Sequence, residues 1–300
     1  MIKVKNIVKH FDEYRVLDGV NMNIETGSIY GLVGQNGSGK TTIINHIVGV
    51  YEPDAGTIEI DGKPVYENNE VKQSIGYIQD DLYYYNQYKI EDMMKFYKSQ
   101  YKNFDEEMFK KLETVFNISP SRKIKTLSKG MKKQVAFWLI LSCNPDVIIL
   151  DEPLDGLDPI NRRNVLKLIV GEVERRKVTV LVSSHNLREL EDICDTVEFM
   201  DEGKIILEKK LDELADSIHK VQVAYEDENK KVELPNGLEI KEEVQIGRVK
   251  QLIIKGEKEA VVKAVENTKP LFVDVLPLTL EEVFIYEIGG EDFEINKFFS

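Results

Sequence analysis

The run Gly34-Gln35-Asn36-Gly37-Ser38-Gly39-Lys40-Thr41-Thr42 constrains this chain more than any other stretch, because it follows the pattern Gly, four residues, Gly-Lys-Thr. Ahead of it, Ile29 to Val33 reads as a buried strand. Behind it, Thr41 to Val50 reads as a helix with Ile43, Ile44, Ile47 and Val48 on one face. Glycines between a strand and a helix let the backbone turn tightly enough for successive amides to point at phosphate oxygens, and the helix N-terminus adds positive potential. Lys40 is then expected to bridge the β- and γ-phosphates of a nucleoside triphosphate, and the Thr41 hydroxyl to ligate magnesium.

A second run, Val147-Ile148-Ile149-Leu150-Asp151-Glu152-Pro153, is apolar enough for a strand covered on both faces and ends in two carboxylates. Ligands of open α/β sheets gather at that end of the strands. Asp151 is expected to hold magnesium through water, and Glu152 to orient or deprotonate an attacking water. Upstream of it lies Leu127-Ser128-Lys129-Gly130-Met131-Lys132-Lys133-Gln134, which opens the apolar helix Val135 to Cys143 with Ser128 as its N-cap. This segment resembles the LSGGQ signature of the ATP-binding cassette (ABC) family, and its order and spacing relative to the other two runs are also the family's. The resemblance implies an α/β fold: a P-loop NTPase core with an antiparallel β subdomain and a helical insert, here about residues 80–144.

Residue by residue, the resemblance covers residues 1–215. Phe11 is similar to the aromatic on which adenine stacks, with Tyr14 close enough to compete. Gln79, in Gly76-Tyr77-Ile78-Gln79, resembles the family's glutamine loop, which touches the metal and the attacking water. Asp158, closing Asp155-Gly156-Leu157-Asp158, resembles the residue that communicates across a dimer. His185, after a strand Val178 to Val182, resembles the switch histidine at the γ-phosphate. With them the resemblance implies ATP and Mg2+ as cofactors and two cassettes facing head to tail. Each nucleotide would then lie between one chain's phosphate loop and the Ser128-Lys129-Gly130 segment of the other. That other chain is a second copy or a related ATPase chain, and membrane permease subunits hold the pair at the cytoplasmic face of the membrane. Lys129 and Met131 stand where the signature has Gly and Gln, which puts positive φ at position 129 and one side-chain amide in question. The Lys-Gly-Met variant is similar to that of bacterial exporters of drugs, peptides and bacteriocins.

Charge and hydropathy agree with that family. A formal charge of −13 lacks the basic footprint that nucleic-acid backbones demand, so no nucleic-acid partner is expected. The longest apolar stretches fall well short of the roughly 20 residues that span a bilayer, so a transport role needs a pore from another chain. The first residues lead into alternating, strand-like sequence and no signal peptide is expected. Cys143 and Cys194, each in an apolar helical setting, read as reduced core thiols. A soluble ATPase of the same superfamily, acting on ribosomes or in DNA repair, is the alternative; such members carry two cassettes or a long coiled coil, and this chain has neither pattern. The Asn-Lys-x-Asp guanine reader of GTP switches is absent.

Residues 1–32 and Thr57 to Gly62 alternate apolar and polar positions, predicting the antiparallel subdomain. Ile90 to Tyr101, Asp105 to Phe116 and Ile160 to Arg176 read as helices, and Asp201-Glu202-Gly203-Lys204 as a hairpin turn. Tyr83, Tyr84 and Tyr85 either form a coupling surface for a membrane subunit or cover the sheet edge. Residues 216–300 carry 18 acidic and 11 basic residues, which makes them unsuited to an anionic membrane surface. They read as a small α+β domain of regulatory or dimerisation character, similar to one appended to many exporter ATPases. Its expected strands are Val221 to Tyr225, Lys231 to Leu234, Leu238 to Val244, Lys250 to Ile254 and Leu271 to Leu276, with a helix Lys258 to Asn267. A capping box at Thr279-Leu280-Glu281-Glu282 opens a last helix with Leu280, Val283, Phe284 and Ile288 as its apolar face.

Overall fold

Continuous apolar runs build the centre of the first unit. Ile29–Val33 (β3), Val147–Asp151 (β7) and Thr179–Ser184 (β8) are buried at every position, as strands covered on both faces must be. Ile75–Ile78 (β6), Thr196–Asp201 (β9) and Lys204–Lys210 (β10) complete a six-stranded sheet of order β10-β9-β3-β8-β7-β6. Its strands β6, β7, β8, β3 and β9 run parallel, with Asp151 opposite Ser183 and Val33 opposite Ser184. The computed structural model describes residues 1–211, 218–227, 230 and 232–288, without the side chains of Leu280, Phe284, Glu287 and Ile288.

Alternation produces the second layer. Ile2–Phe11 (β1), Tyr14–Ile24 (β2), Ala55–Ile60 (β4) and Lys63–Pro64 (β5) form an antiparallel sheet of order β2-β1-β4-β5. Ile2, Val4, Ile7, Met22, Ile24, Ile58 and Ile60 face a core that also takes Ile43, Ile44 and Ile47 of helix Lys40–Ile47 (α1). The helix stops three residues before the expected Val50, because the amides of Gly49, Val50 and Tyr51 turn back onto the carbonyls of His46 and Asn45. After the short helix Asn69–Lys72 (α2), the expected helical insert follows: Ile90–Gln100 (α3), Glu106–Phe116 (α4) and Lys129–Ser142 (α5). Trp138 fixes its interior, stacking on Phe109 at 4.5 Å and donating its indole N–H to the Phe109 carbonyl at 2.7 Å. Pro159–Arg176 (α6) returns the chain to β8.

The turn between β9 and β10 places Glu202 and Gly203 at positive φ, 42° and 78°, the geometry of a tight hairpin turn. The chain divides into two compact units after Glu208. In the second, Ile218–Ala224 (β11), Glu239–Ile246 (β12), Val249–Lys255 (β13) and Phe272–Leu276 (β14) pair antiparallel in the order β12-β13-β11-β14. Helix Lys258–Asn267 (α7) supplies Val261 and Val265 to a core with Val221, Val223, Leu252 and Ile254. The last described helix, Leu280–Ile288 (α8), begins with the expected capping box: Glu282 N–H donates to Thr279 Oγ1 at 3.2 Å, and Thr279 N–H to Glu282 Oε2 at 2.9 Å. Val283 is buried; the other three positions of its expected apolar face lie outside the described side chains.

One expected strand does not form. Val232 to Leu234 is irregular, and Lys231 lies outside the described residues. Val232 is buried and Leu234 packs against the same core, so the alternation reflects burial without a ladder. Pro235, which has no N–H to donate, closes the segment.

Candidate functional site

The phosphate loop leaves β3 at Gly34 and enters α1 at Lys40. Gly39, the residue before the helix, has φ +109°, and a Cβ there would lie 2.9 Å from the Met200 methyl carbon. Only glycine holds that turn without strain. The Ser38 amide closes the loop onto the Gln35 carbonyl at 3.1 Å, while Asn36, Gly37 and Thr41 are exposed at its mouth and Thr42 is half-buried. Lys40 is 6 % exposed and donates to the carbonyls of Gly34 at 2.6 Å and Gln35 at 3.0 Å. Burial lowers the pKa of its ammonium, and Glu152 and Asp151 act against that shift.

The two carboxylates diverge because they leave a strand. Asp151, the last residue of β7, is buried and accepts a hydrogen bond from Ser183 Oγ at 2.6 Å. Ser183 stands opposite it on β8, and its oxygen also accepts the Glu152 N–H at 3.1 Å. Glu152 turns out of the strand at φ +44°, a conformation sparsely populated by residues with a side chain. Its Oε2 lies 2.9 Å from His185 Nδ1 and accepts the His185 amide at 3.3 Å, and its Oε1 lies 3.6 Å from the Lys40 ammonium. Lys40, Glu152 and His185 thus form one line across the ends of α1, β7 and β8. Ligand atoms of Asp155 also lie within 4.8 Å of those of Glu152 and His185.

Three buried oxygens at this place have no hydrogen-bond partner among the described residues: Ser38 Oγ, Asp151 Oδ2 and Glu152 Oε1. Buried polar atoms are ordinarily satisfied, so an unpartnered cluster fits a polar ligand such as a magnesium-bound nucleotide. Gln79 follows β6 next to Asp151, since Ile78 is paired with Leu150, and it is exposed.

The remaining candidates lie on other elements. Phe11 and Tyr14 face each other across the β1–β2 turn, 42 % and 74 % exposed. Phe11 is braced edge-on by Tyr51 at 5.6 Å, with the Lys9 ammonium 5.8 Å from its ring. Ser128 caps α5, accepting the Met131 N–H at 3.2 Å. Lys129 begins that helix and is not among the positive-φ residues, so a side chain at this signature position strains nothing. Gly130 has a reason to be glycine: a Cβ there would meet the Gly156 carbonyl oxygen at 2.7 Å. Asp158 caps α6, accepting the amides of Ile160 at 3.1 Å and Asn161 at 3.0 Å, and hydrogen bonds from Asn161 hold its pKa below the usual carboxylate range. Sequence reasoning missed Ser183 and Asp155 as parts of the site; the only signal was their place, beside His185 and inside the Asp151 to Asp158 run.

The chain is similar to known proteins over most of its length. The family described as "ABC transporter" matches residues 17–155. The ABC transporter ATP-binding protein YtrB of Bacillus subtilis (strain 168) is 34 % identical over 97 % of this chain and 99 % of its own length. The bacitracin transport ATP-binding protein BcrA of Bacillus licheniformis is 32 % identical over 97 % of this chain and 98 % of its own. A solved structure described as the ATP-binding subunit of an ABC transporter superposes with a TM-score of 0.67 at 26 % identity, covering 71 % of this chain and 91 % of that one.

Proposed function

The chain belongs to the ATP-binding family of ABC transporters, and from that premise we propose that it is the ATP-hydrolysing subunit that powers a membrane exporter of peptides, antimicrobials or drugs. The observation that carries the chemistry is the line Lys40–Glu152–His185 at the mouth of the phosphate loop. With ATP seated there, Lys40 exchanges the carbonyls of Gly34 and Gln35 for phosphate oxygens. Glu152 orients a water, takes its proton as the oxygen bonds to the γ-phosphorus, and the bond to the β-phosphate oxygen breaks. His185 contacts the γ-phosphate and steadies Glu152 through Nδ1. Thr41, Gln79 and Asp151 are the residues that would hold Mg2+, which neutralises charge developing on the phosphates. Phe11 or Tyr14 stacks on the adenine.

Ser128, Lys129, Gly130 and Asp158 are assigned to the site of a facing cassette, a second copy or a related ATPase chain. Among the described residues no helix is long and apolar enough to cross a membrane. We therefore assign the pore to permease subunits that hold this chain at the cytoplasmic face, with residues 216–300 as a regulatory or dimerisation domain. The relative named for bacitracin transport supports antimicrobial cargo. The test is affinity purification of the full chain from its own membranes: an integral membrane chain should come down with it, and ATPase activity should rise when that pair is reconstituted with cargo. Recovery of the chain alone, with cargo-indifferent hydrolysis, would refute the exporter reading.

A further inference from the structure

The hydrolysis chemistry does not use the buried cation of Lys133. Lys133 on α5 has a side chain only 1 % exposed, and its ammonium reaches the Asp80 backbone oxygen at 3.4 Å and Asp80 Oδ1 at 3.5 Å. Burial lowers its pKa; Asp80 and then Asp155 oppose that shift, and Lys129 adds to it. A buried ion held by contacts this long is a poor source of stability, since an apolar side chain of similar volume often serves the fold as well or better. Its partner gains nothing from burial either, because the Asp80 side chain is 45 % exposed.

What the cation does have is position. Asp80 directly follows Gln79, and α5 is the helix that Ser128 opens. A second contact joins the same two segments: buried Tyr84 donates its hydroxyl to the Lys132 carbonyl at 3.0 Å. Residues 80 to 84 are thus fastened to α5 at two consecutive positions, just past its first turn.

We infer that Lys133 is a positioning residue that clips the glutamine segment to the signature helix, so that closure of Gln79 on one nucleotide sets the Ser128-Lys129-Gly130 segment presented to the other. The inference rests on the composite-site reading above. Gln79 serves the nucleotide of its own chain and Ser128 that of the facing chain, so a rigid link between them couples the two sites. Tyr84 holds the segment against the helix; Lys133 fixes where Asp80, and therefore Gln79, stands along it.

The experiment uses the full chain with Lys133→Met, Asp80→Asn and the double variant. Lys133→Met keeps length and apolar volume, so it should fold with a midpoint of thermal unfolding equal to or above the parent's. Its affinity for ATP in the presence of Mg2+ should stay within about twofold of the parent's, while kcat drops about tenfold, the scale of ordinary coupling between sites. The Hill coefficient for ATP should fall from clearly above one to one. Asp80→Asn, which removes the charge but leaves the backbone contact, should shift both in the same direction by a smaller amount, and the double variant should be no worse than Lys133→Met, in which the contact is already gone. Lys133→Arg, which keeps the charge and the reach, should restore part of the cooperativity; a merely structural role would leave the Hill coefficient unmoved throughout. Unchanged kcat and cooperativity in folded Lys133→Met, additive losses in the double variant, or a non-cooperative parent would each overturn the inference while leaving ATP hydrolysis intact. A parent that hydrolyses no ATP would overturn the functional reading together with the inference that rests on it.

Discussion

Glu152 is held from three directions: Ser183 Oγ accepts its amide, His185 meets one carboxylate oxygen, and the Lys40 ammonium lies 3.6 Å from the other. Its φ of +44° adds backbone strain to that list, a cost tolerated where a side chain must be aimed. Glu152→Gln keeps the shape and loses the base, so it should bind ATP like the parent and turn over at least about 10²-fold more slowly, the least that a positioned acid-base group contributes. Steady-state rates and nucleotide affinity on the same preparation check this, and parent-like turnover would move the role to another residue. Base recognition is tested beside it. Phe11→Ala should weaken ATP and GTP alike, because stacking reads a π-face and not a hydrogen-bond pattern; a loss confined to Tyr14→Ala would transfer the role. Asp151 and Glu152 were legible in the sequence because they end an apolar run that could only be a buried strand. Ser183 was not, because its part depends on the β7–β8 register that puts it opposite Asp151, and no local pattern encodes a register between strands 32 residues apart. Asp155 was legible only as the start of the run that Asp158 closes, since its nearness to His185 arises from the fold of a loop.

Strands β3, β9 and β10 carry a polar contact in the body of the sheet. The Tyr30 hydroxyl lies 2.6 Å from Glu198 Oε1 and 2.9 Å from Glu208 Oε1, and one phenolic proton cannot serve two carboxylates. Burial pushes the Glu198 carboxyl up to about 8, against the hydrogen bond from Tyr30 and reinforced by Glu208. The folded chain therefore keeps a proton at neutral pH that the unfolded chain releases near its ordinary value of 4.5. The stability this proton provides is complete below that value and is lost as pH rises towards 8, by on the order of 4 kcal/mol. Glu198→Gln removes the titration. Between about pH 5 and 8 the parent should lose stability relative to the variant, read as urea midpoints at both pH values; parallel behaviour would mean Glu198 ionises as an exposed acid does. Elements with strong periodicity, such as α4, α6 and the capping box of α8, were readable ahead of the structure. The expected strand at Lys231 to Leu234 failed because alternation reports burial of every second residue, and an irregular segment ending at Pro235 achieves the same burial of Val232.

Within the first unit, Glu152 meets both His185 and the Lys40 ammonium, whereas Ser128 uses its oxygen on α5 and Gly130 lies against the Gly156 backbone. The composite site proposed above takes these two groups from facing chains, and this can be tested by dividing the defects. Ser128→Arg keeps its own phosphate loop but places a bulky cation in the partner's γ-phosphate pocket; Lys40→Ala keeps its signature segment but cannot grip phosphate. Each variant alone should be nearly inactive. A mixed pair holds one intact site, built from Lys40 of the first chain and Ser128 of the second, and one site with both defects. If chains exchange freely and each site cycles alone, the ATPase rate plotted against mixing ratio should be bell-shaped and peak at equal amounts near about a quarter of the parent's rate, since half the dimers of two identical-surfaced chains are mixed. A flat baseline from folded, exchanging variants would mean that one site cannot cycle without the other, as the Lys133 clip would require in its strictest form, or that the natural partner is a different ATPase chain. Co-expression of the parent with Lys40→Ala separates these outcomes: strict coupling should silence its mixed dimers as well. Full activity of Ser128→Arg by itself would sink the shared site altogether, because the cation would then occupy no pocket that hydrolysis needs.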